Sequence, residues 1–164
     1  MRFLKKIAID LLLAFIVFLL INQLFFGEFI VRGRSMTPTI FPGERILVLR
    51  FPPPKIRRCD IVVFLYPRNP RRSFIKRVAG LPGEEIEISG GKLRVNGSSL
   101  ERPCFRLQPW AKLKKKIPLG FFFVLGDNSE VSNDSRYGWL VPADYIEGKA
   151  LAVFWPPSRI RWLR

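Results

Sequence analysis

Length and composition restrict what this chain can be before any motif is considered. Its 164 residues are enough for one domain of ordinary size. The absence of histidine excludes a Ser-His-Asp relay, and two cysteines are too few for a disulfide framework or for most transition-metal sites. We therefore expect no metal and no organic cofactor.

The formal net charge of +15 at pH 7 leaves three interpretations open. A basic protein can bind nucleic acid, it can bind anionic lipid headgroups, or it can have a solvated basic surface. The basic residues are scattered among Phe, Pro and Trp and do not line one helix or arm. This favours a lipid bilayer as the partner. We do not expect nucleic acid to be a partner.

The first predicted element is a transmembrane anchor at residues 7–26. Only Asp10, Asn22 and Gln23 interrupt its twenty residues, and a helix of that length spans roughly 30 Å of hydrocarbon. A cleavable signal peptide has a shorter apolar region, about 7 to 15 residues, and a small-x-small cleavage site. No such site follows Gln23, so we expect the anchor to remain uncleaved.

The charges before the anchor predict its orientation. Arg2, Lys5 and Lys6 place residues 1–6 in the cytoplasm, and residues 27–164 then form one extracytoplasmic domain. Outside the cytoplasm the two cysteines, Cys59 and Cys104, could pair, but the sequence does not show whether their geometry allows a disulfide.

Beyond the anchor, short runs of β-branched and aromatic residues between Gly and Pro predict strands. The predicted strands are Arg45–Arg50, Asp60–Tyr66, Phe74–Ala79, Glu85–Ser89, Lys92–Asn96, Phe121–Leu125 and Lys149–Trp155. The Gly90-Gly91 pair between two alternating runs predicts a hairpin whose turn needs positive φ. We expect a mainly β fold, with a single N-terminal transmembrane helix followed by a compact, partly closed antiparallel β domain.

The segment Leu100–Pro118 has the least organised pattern of the chain. It carries Lys112, Lys114, Lys115 and Lys116 beside Trp110. We interpret it as an exposed flexible loop, with a lipid-facing loop as the alternative.

A candidate nucleophile, Ser35, lies just beyond the anchor in the segment Gly33–Thr39. Without histidine, a serine nucleophile needs a lysine base. Lys76 is the best candidate, because it lies in a predicted strand among bulky apolar residues, and burial disfavours the charged form of an amine. Alternatively, Lys76 and Arg77 are two exposed charges on an edge strand.

A third polar segment, Gly126–Gly138, directly follows a predicted apolar strand. Its density of Asp, Asn, Ser and Gly is typical of a turn whose side chains satisfy local backbone groups. The loop could be only structural, or its hydroxyls could bond to a nearby amine. Asp134 and Arg136 could form a pair that holds it rigid.

Together, these segments resemble the type I signal peptidases, in this order and after an N-terminal anchor. The matching residues are Ser35-Met36-x-Pro38-Thr39, Lys76-Arg77-Val78-x-Gly80-x-Pro82-Gly83, and Gly126-Asp127-Asn128 with Ser132-x-Asp134-Ser135-Arg136. The resemblance extends from the anchor to Gly148-Lys149-Ala150, which is nearly the whole chain.

The resemblance implies roles for these residues. Ser35 would attack the scissile carbonyl, Lys76 would take its proton and return it to the leaving amine, and Ser132 would orient the lysine amine. The N–H of Ser35 would stabilise the oxyanion. Some family members add a hydroxyl two residues before the nucleophile, where this chain has Gly33. The residues that would support the loop and strand geometry are Arg77, Asp127, Asp134 and Arg136.

The resemblance also implies a substrate, a preprotein whose signal peptide has small residues at the first and third positions before the cut. Shallow apolar pockets for these would be lined by Phe29, Val31, Met36, Ile40, Val63, Phe74 and Ile75. Two departures from the family pattern, Ser129 in place of a basic residue and Gly138 one position early, leave the local loop shape open. We expect a compact catalytic core that is monomeric.

The resulting hypothesis is a membrane-bound serine endopeptidase at the outer face of a bacterial cytoplasmic membrane. Alternatives are a peptidase of the same superfamily specialised for one substrate, such as a conjugative pilin, and a catalytically silent, membrane-anchored β module. A self-cleaving repressor of the related Ser-Lys type fits less well, because the sequence has no DNA-reading helical domain and does have a membrane span.

Overall fold

The structure, a computed structural model, describes residues 2–100, 104 and 107–163. It begins with one helix, α1 (Arg2–Phe25). Its part Lys5–Phe25 has a mean hydropathy of 2.4 and is long and apolar enough to cross a membrane. Apolar side chains such as Leu11 and Phe18 are exposed rather than packed against the domain. The predicted apolar helix is therefore present, but it begins at Arg2 instead of residue 7 and ends at Phe25 instead of residue 26.

The helix joins the β domain without a linker. Strand β1 (Phe26–Ile30) begins at the residue after the helix ends. The carbonyl oxygen of Phe25 accepts hydrogen bonds from the N–H of Arg50 at 2.8 Å and of Phe51 at 3.3 Å. The rings of Phe25 and Phe51 meet edge to face, with centroids 5.6 Å apart. Backbone and ring contacts thus fasten the helix end to the domain.

The larger of two antiparallel sheets carries most of the domain. In spatial order its strands are β1, β2 (Arg45–Leu49), β11 (Ile146–Trp155), β3 (Ile61–Tyr66), β4 (Asn69–Gly80), β9 (Phe121–Leu125) and β10 (Val141–Pro142), with β12 (Arg161–Trp162) beside β11. Strand β3 is buried on both faces: Ile61 and Val63 face one apolar cluster, and Val62 and Phe64 face another. Such two-sided burial gives the neighbouring strand β4 a rigid support.

The smaller sheet has the order β7 (Ser98–Ser99), β6 (Lys92–Val95), β5 (Glu85–Ser89) and β8 (Leu113–Lys116). Its β5–β6 hairpin confirms the predicted turn, because Ser89 pairs with Lys92 across Gly90 and Gly91, whose φ values are 55° and 73°. The prediction of a loop throughout Leu100–Pro118 is wrong for residues 113–116, which form strand β8. Lys116 lies opposite Glu85 and Lys114 opposite Glu87 of β5, and these opposite charges stabilise the strand pairing.

All seven predicted strands are present, two of them longer than expected. β4 begins at Asn69 rather than Phe74, and β11 at Ile146 rather than Lys149. Strands β1, β7, β8, β10 and β12 were not predicted. Cys59 and Cys104 form a disulfide with their Cα atoms 6.0 Å apart, which resolves the question that the sequence left open.

Candidate active site

Ser35 and Lys76, which are 41 residues apart in the chain, meet at the centre of the site. The amine Nζ of Lys76 donates hydrogen bonds to Ser35 Oγ at 2.7 Å and to the carbonyl oxygen of Ile75 at 3.0 Å. Lys76 extends from β4, where it lies opposite Val62, and Ser35 lies in the turn after β1. Met36 is fully buried beside Ser35 and fixes that turn to the core. The structure thus brings the predicted nucleophile and base into direct contact.

The surroundings of Lys76 favour the neutral amine. Burial lowers the pKa of Lys76 from 10.5 to about 8, and the carboxylates of Asp134 and Asp127 offset only part of that effect. The side chain is almost completely buried, so the exposed edge-strand alternative is wrong for Lys76, and Arg77 is equally buried. A neutral amine within hydrogen-bond distance of a hydroxyl can act as its general base near neutral pH.

This burial leads to a prediction for the pH dependence of catalysis. Because only the neutral amine can accept the proton of Ser35, we expect kcat/KM to rise with pH, with an apparent pKa of about 8, and to level off above it. Below pH 8 it should fall about tenfold per pH unit. Initial rates on a peptide substrate between pH 5.5 and 10 would measure the profile. A profile flat through pH 8 would contradict a role for Lys76 as the base.

The backbone of Ser35 is held from the other side by Asn128. The N–H of Asn128 donates to the carbonyl oxygen of Ser35 at 2.9 Å, and its side-chain amide donates to Thr37 Oγ1, also at 2.9 Å. The N–H of Ser35 forms no hydrogen bond within the described part of the chain, so it can donate to an oxyanion. The sequence motif contained Asn128, but nothing in its pattern indicated this positioning role.

A buried ion pair holds the loop that carries Asn128. Arg77 donates to both carboxylate oxygens of Asp127 at 2.8 and 2.7 Å, and also to the carbonyl oxygen of Cys59 at 2.8 Å. Both charged side chains are buried. Two parallel bonds fix orientation as well as distance. β4 therefore positions Lys76 directly and, through Arg77, positions Asp127 at the start of the loop that carries Asn128.

A second ion pair, between Asp134 and Arg136, connects two parts of the same loop. Asp134 is fully buried and accepts hydrogen bonds from the N–H of Gly126 at 3.0 Å and from the guanidinium of Arg136 at 2.8 Å. Arg136 also donates to the carbonyl oxygen of Ser129 at 2.8 Å. Gly138 ends the short helical turn that follows, with φ of 89°, a conformation that glycine adopts without strain. The predicted Asp134–Arg136 pair is therefore present.

The hydrogen bond expected from Ser132 to Lys76 is not formed in this structure. Ser132 Oγ is buried and has no hydrogen-bond partner among the residues that the structure describes. It lies instead against Gly126: a methyl group added to Gly126 would collide with Ser132 and come within 2.6 Å of the carbonyl oxygen of Ser35. Ser132 thus packs beside the nucleophile's backbone, and the bonds of Lys76 go to Ser35 and Ile75.

A groove of about 870 Å³ leads to Ser35 and Lys76. It is lined by five of the seven predicted substrate-contacting residues, namely Phe29, Val31, Val63, Phe74 and Ile75. Met36 and Ile40 are exceptions, because both are fully buried in the core beneath the Ser35 turn. The position two residues before Ser35 is open, since a Cβ added to Gly33 would meet no atom within 4 Å.

The two walls of the groove end in unpaired strand edges. β9 pairs with β4 only from Arg77 to Gly80, which leaves residues 69–76 of β4 without a partner on that side among the described strands. β1 is the outermost strand of the sheet and pairs only with β2. An extended peptide can hydrogen-bond to such edges as an added strand.

Comparisons with known proteins identify relatives of this chain. A profile of the family described as "Signal peptidase, peptidase S26" matches residues 4–155. Signal peptidase I of Leptolyngbya laminosa is 39% identical over 144 residues, which cover 79% of this chain and 69% of that protein. Signal peptidase IB of Staphylococcus aureus strain MRSA252 is 30% identical, covering 94% and 91%. The crystal structure of a signal peptidase I from Enterococcus faecalis V583 matches with a TM-score of 0.52 at 32% identity, covering 59% of this chain and 97% of that one.

Proposed function

This chain belongs to the peptidase S26 family of signal peptidases, membrane serine peptidases that cleave signal peptides from preproteins, and we propose that Ser35 and Lys76 form its catalytic dyad. The observation that carries the proposal is the 2.7 Å hydrogen bond between Lys76 Nζ and Ser35 Oγ at a buried amine. A buried lysine next to a hydroxyl, in a chain without histidine, has the geometry and the pKa that a general base needs.

The chemistry follows from the positions of these groups. Lys76 accepts the hydroxyl proton of Ser35 as Oγ attacks the scissile carbonyl carbon, and the N–H of Ser35 donates to the oxygen that becomes negative. Lys76 then gives the proton to the leaving amine, and an ester to Ser35 remains. A water molecule that loses a proton to Lys76 hydrolyses the ester, and the proton returns to Ser35 Oγ.

The groove supports cleavage after small-x-small sites. In an extended peptide bound between the edges of β1 and β4, side chains alternate in direction, so the first and third residues before the cut point to the same face. That face is the apolar floor formed by residues such as Val31, Val63 and Ile75. Side chains larger than alanine would be held away from this floor, and the scissile carbonyl would then be displaced from Ser35.

The membrane arrangement is part of the same proposal. Residues 1–6 lie in the cytoplasm, α1 spans a bacterial cytoplasmic membrane, and the catalytic domain acts as a monomer at its outer face. The basic N-terminus and the apolar exposed surface of α1 support this orientation. The disulfide between Cys59 and Cys104 supports it as well, because disulfides persist outside the reducing cytoplasm.

The test uses the full chain in detergent with a preprotein that carries an Ala-x-Ala site, and mass spectrometry identifies the products. We expect the parent to cut after that site and Ser35→Ala to leave the preprotein intact. An active-site acylating reagent should label Ser35 in the parent and in no other serine. A folded parent that neither cuts nor reacts would contradict the dyad and favour a silent β module.

A further inference from the structure

The mouth of the groove is ringed with arginine. Arg32 and Arg34 lie on one wall and Arg71 and Arg72 on the other, and all four are exposed. None of the four guanidinium groups forms an ion pair or hydrogen bond with any residue in the described ranges. The carboxylate found among the described lining residues, Glu28, is already paired with an arginine of β2 at 3.0 Å. The groove therefore presents four unneutralised positive charges around an apolar floor.

Local backbone structure directs these side chains to the groove. In β4 the pairing with β3 passes from Ser73 directly to Asn69, so the three residues between them bulge out of the ladder. A bulge re-aims side chains, and Pro70 within it has no N–H to donate. On the other wall, Arg32 and Arg34 flank Gly33 in the segment that joins β1 to Ser35. The four charges thus come from two irregular segments that face each other.

We propose that these arginines bind carboxylate side chains of the preprotein, so that acidic residues flanking the small-x-small site are a specificity determinant of the reaction. The inference rests on the proposed function. Guanidinium is suited to this role because its fork binds carboxylates through two bonds and its charge does not titrate. A basic substrate residue would instead add to the repulsion among four uncompensated charges.

Chain spacing assigns substrate positions to Arg71, Arg72 and Arg34. Arg72 and Arg71 precede Lys76 in β4 by four and five residues, which at 3.3 Å per residue is at most roughly 13 to 17 Å, since both lie in the bulge. They therefore contact the substrate four to six residues before the cut. Arg34 directly precedes Ser35, so it contacts residues next to the scissile bond, including the first two residues after it.

The test compares preproteins that differ only at the fifth residue before the cut, with Asp, Asn or Lys there. With the full chain in neutral detergent, we expect kcat/KM to fall in that order, with an Asp-to-Lys ratio of about tenfold at low ionic strength that shrinks with added salt. Arg71→Ala with Arg72→Ala should bring the ratio close to one. Arg57→Ala, which removes an exposed arginine that does not line the groove, should keep the ratio of the parent. The same series at the second residue after the cut tests Arg34.

The possible outcomes distinguish failure of the inference from failure of the proposed function. Equal cleavage of the Asp and Lys preproteins by the parent would overturn the inference and leave the proposed function standing. Failure to cleave any of the three would overturn both. If the ratio stays near one in neutral detergent and the arginine variants lose activity only on vesicles containing anionic phospholipid, the arginines bind lipid phosphates and the inference is wrong.

Discussion

Lys76→Met is expected to lower kcat by about 10²- to 10⁴-fold, the range that a positioned general base contributes. Methionine is unbranched like lysine and only one atom shorter, but it has no amine to accept a proton, so the hydroxyl of Ser35 would lose its base. The protein should fold, because the substitution places an apolar side chain in a buried site and removes an amine whose charged form burial disfavours. Turnover of a preprotein and thermal unfolding followed by circular dichroism measure the two effects separately.

Two further variants make this result specific. Lys92→Met removes an exposed lysine of β6 and should retain the kcat of the parent. The double variant Ser35→Ala with Lys76→Met should be no slower than Ser35→Ala alone, because residues that act as one unit are not additive. A folded Lys76→Met protein with kcat within a few-fold of the parent would remove Lys76 from the mechanism.

Gly126→Ala is expected to lower kcat by about 10²-fold, although it adds only one methyl group. That methyl group would lie 2.6 Å from the carbonyl oxygen of Ser35 and would collide with Ser132. The Ser35 carbonyl accepts the hydrogen bond from Asn128, so the turn cannot move away without losing that bond. A displacement of the nucleophile by about 1 Å can cost 10²-fold in rate.

Gly33→Ala serves as the matched control on the other side of Ser35. An added Cβ there meets nothing within 4 Å, and we expect the unfolding temperature of the parent to be retained. Unfolding temperature and kcat of both variants would be measured together. If Gly126→Ala turned over substrate as fast as the parent, the packing of Gly126 against the Ser35 backbone would not position the nucleophile.

The contact between Ser35 and Lys76 could be predicted from sequence. With no histidine in the chain, a serine nucleophile required a lysine, and Lys76 lay in an apolar run that predicted its burial. The Asp134–Arg136 pair was predictable because the two residues are neighbours in one turn. Asn128 was not, because its contact with the Ser35 backbone depends on how a loop following β9 meets a turn following β1.

The strands that were missed had no independent local signal. β1 continues an apolar run directly from α1, with no Gly or Pro to mark the change before Phe26. The lysines of β8 indicate a loop when taken alone, and only the facing glutamates of β5 make them a strand. Met36 and Ile40 were assigned to the groove by position in the family pattern, but the sequence could not show that this turn faces inward.

The direct joint between α1 and β1 has a consequence for which preproteins can be cut. If α1 spans the bilayer as proposed, the contacts at Phe25 and the lack of a tether after it would hold Ser35 at a nearly constant height above the bilayer surface. A preprotein held in the same bilayer by its own apolar segment presents its scissile bond at a height set by the number of residues in between. The enzyme would then select its substrates by the distance between the scissile bond and the bilayer surface as well as by residue identity. An Ala-x-Ala sequence at the wrong height would not be cleaved.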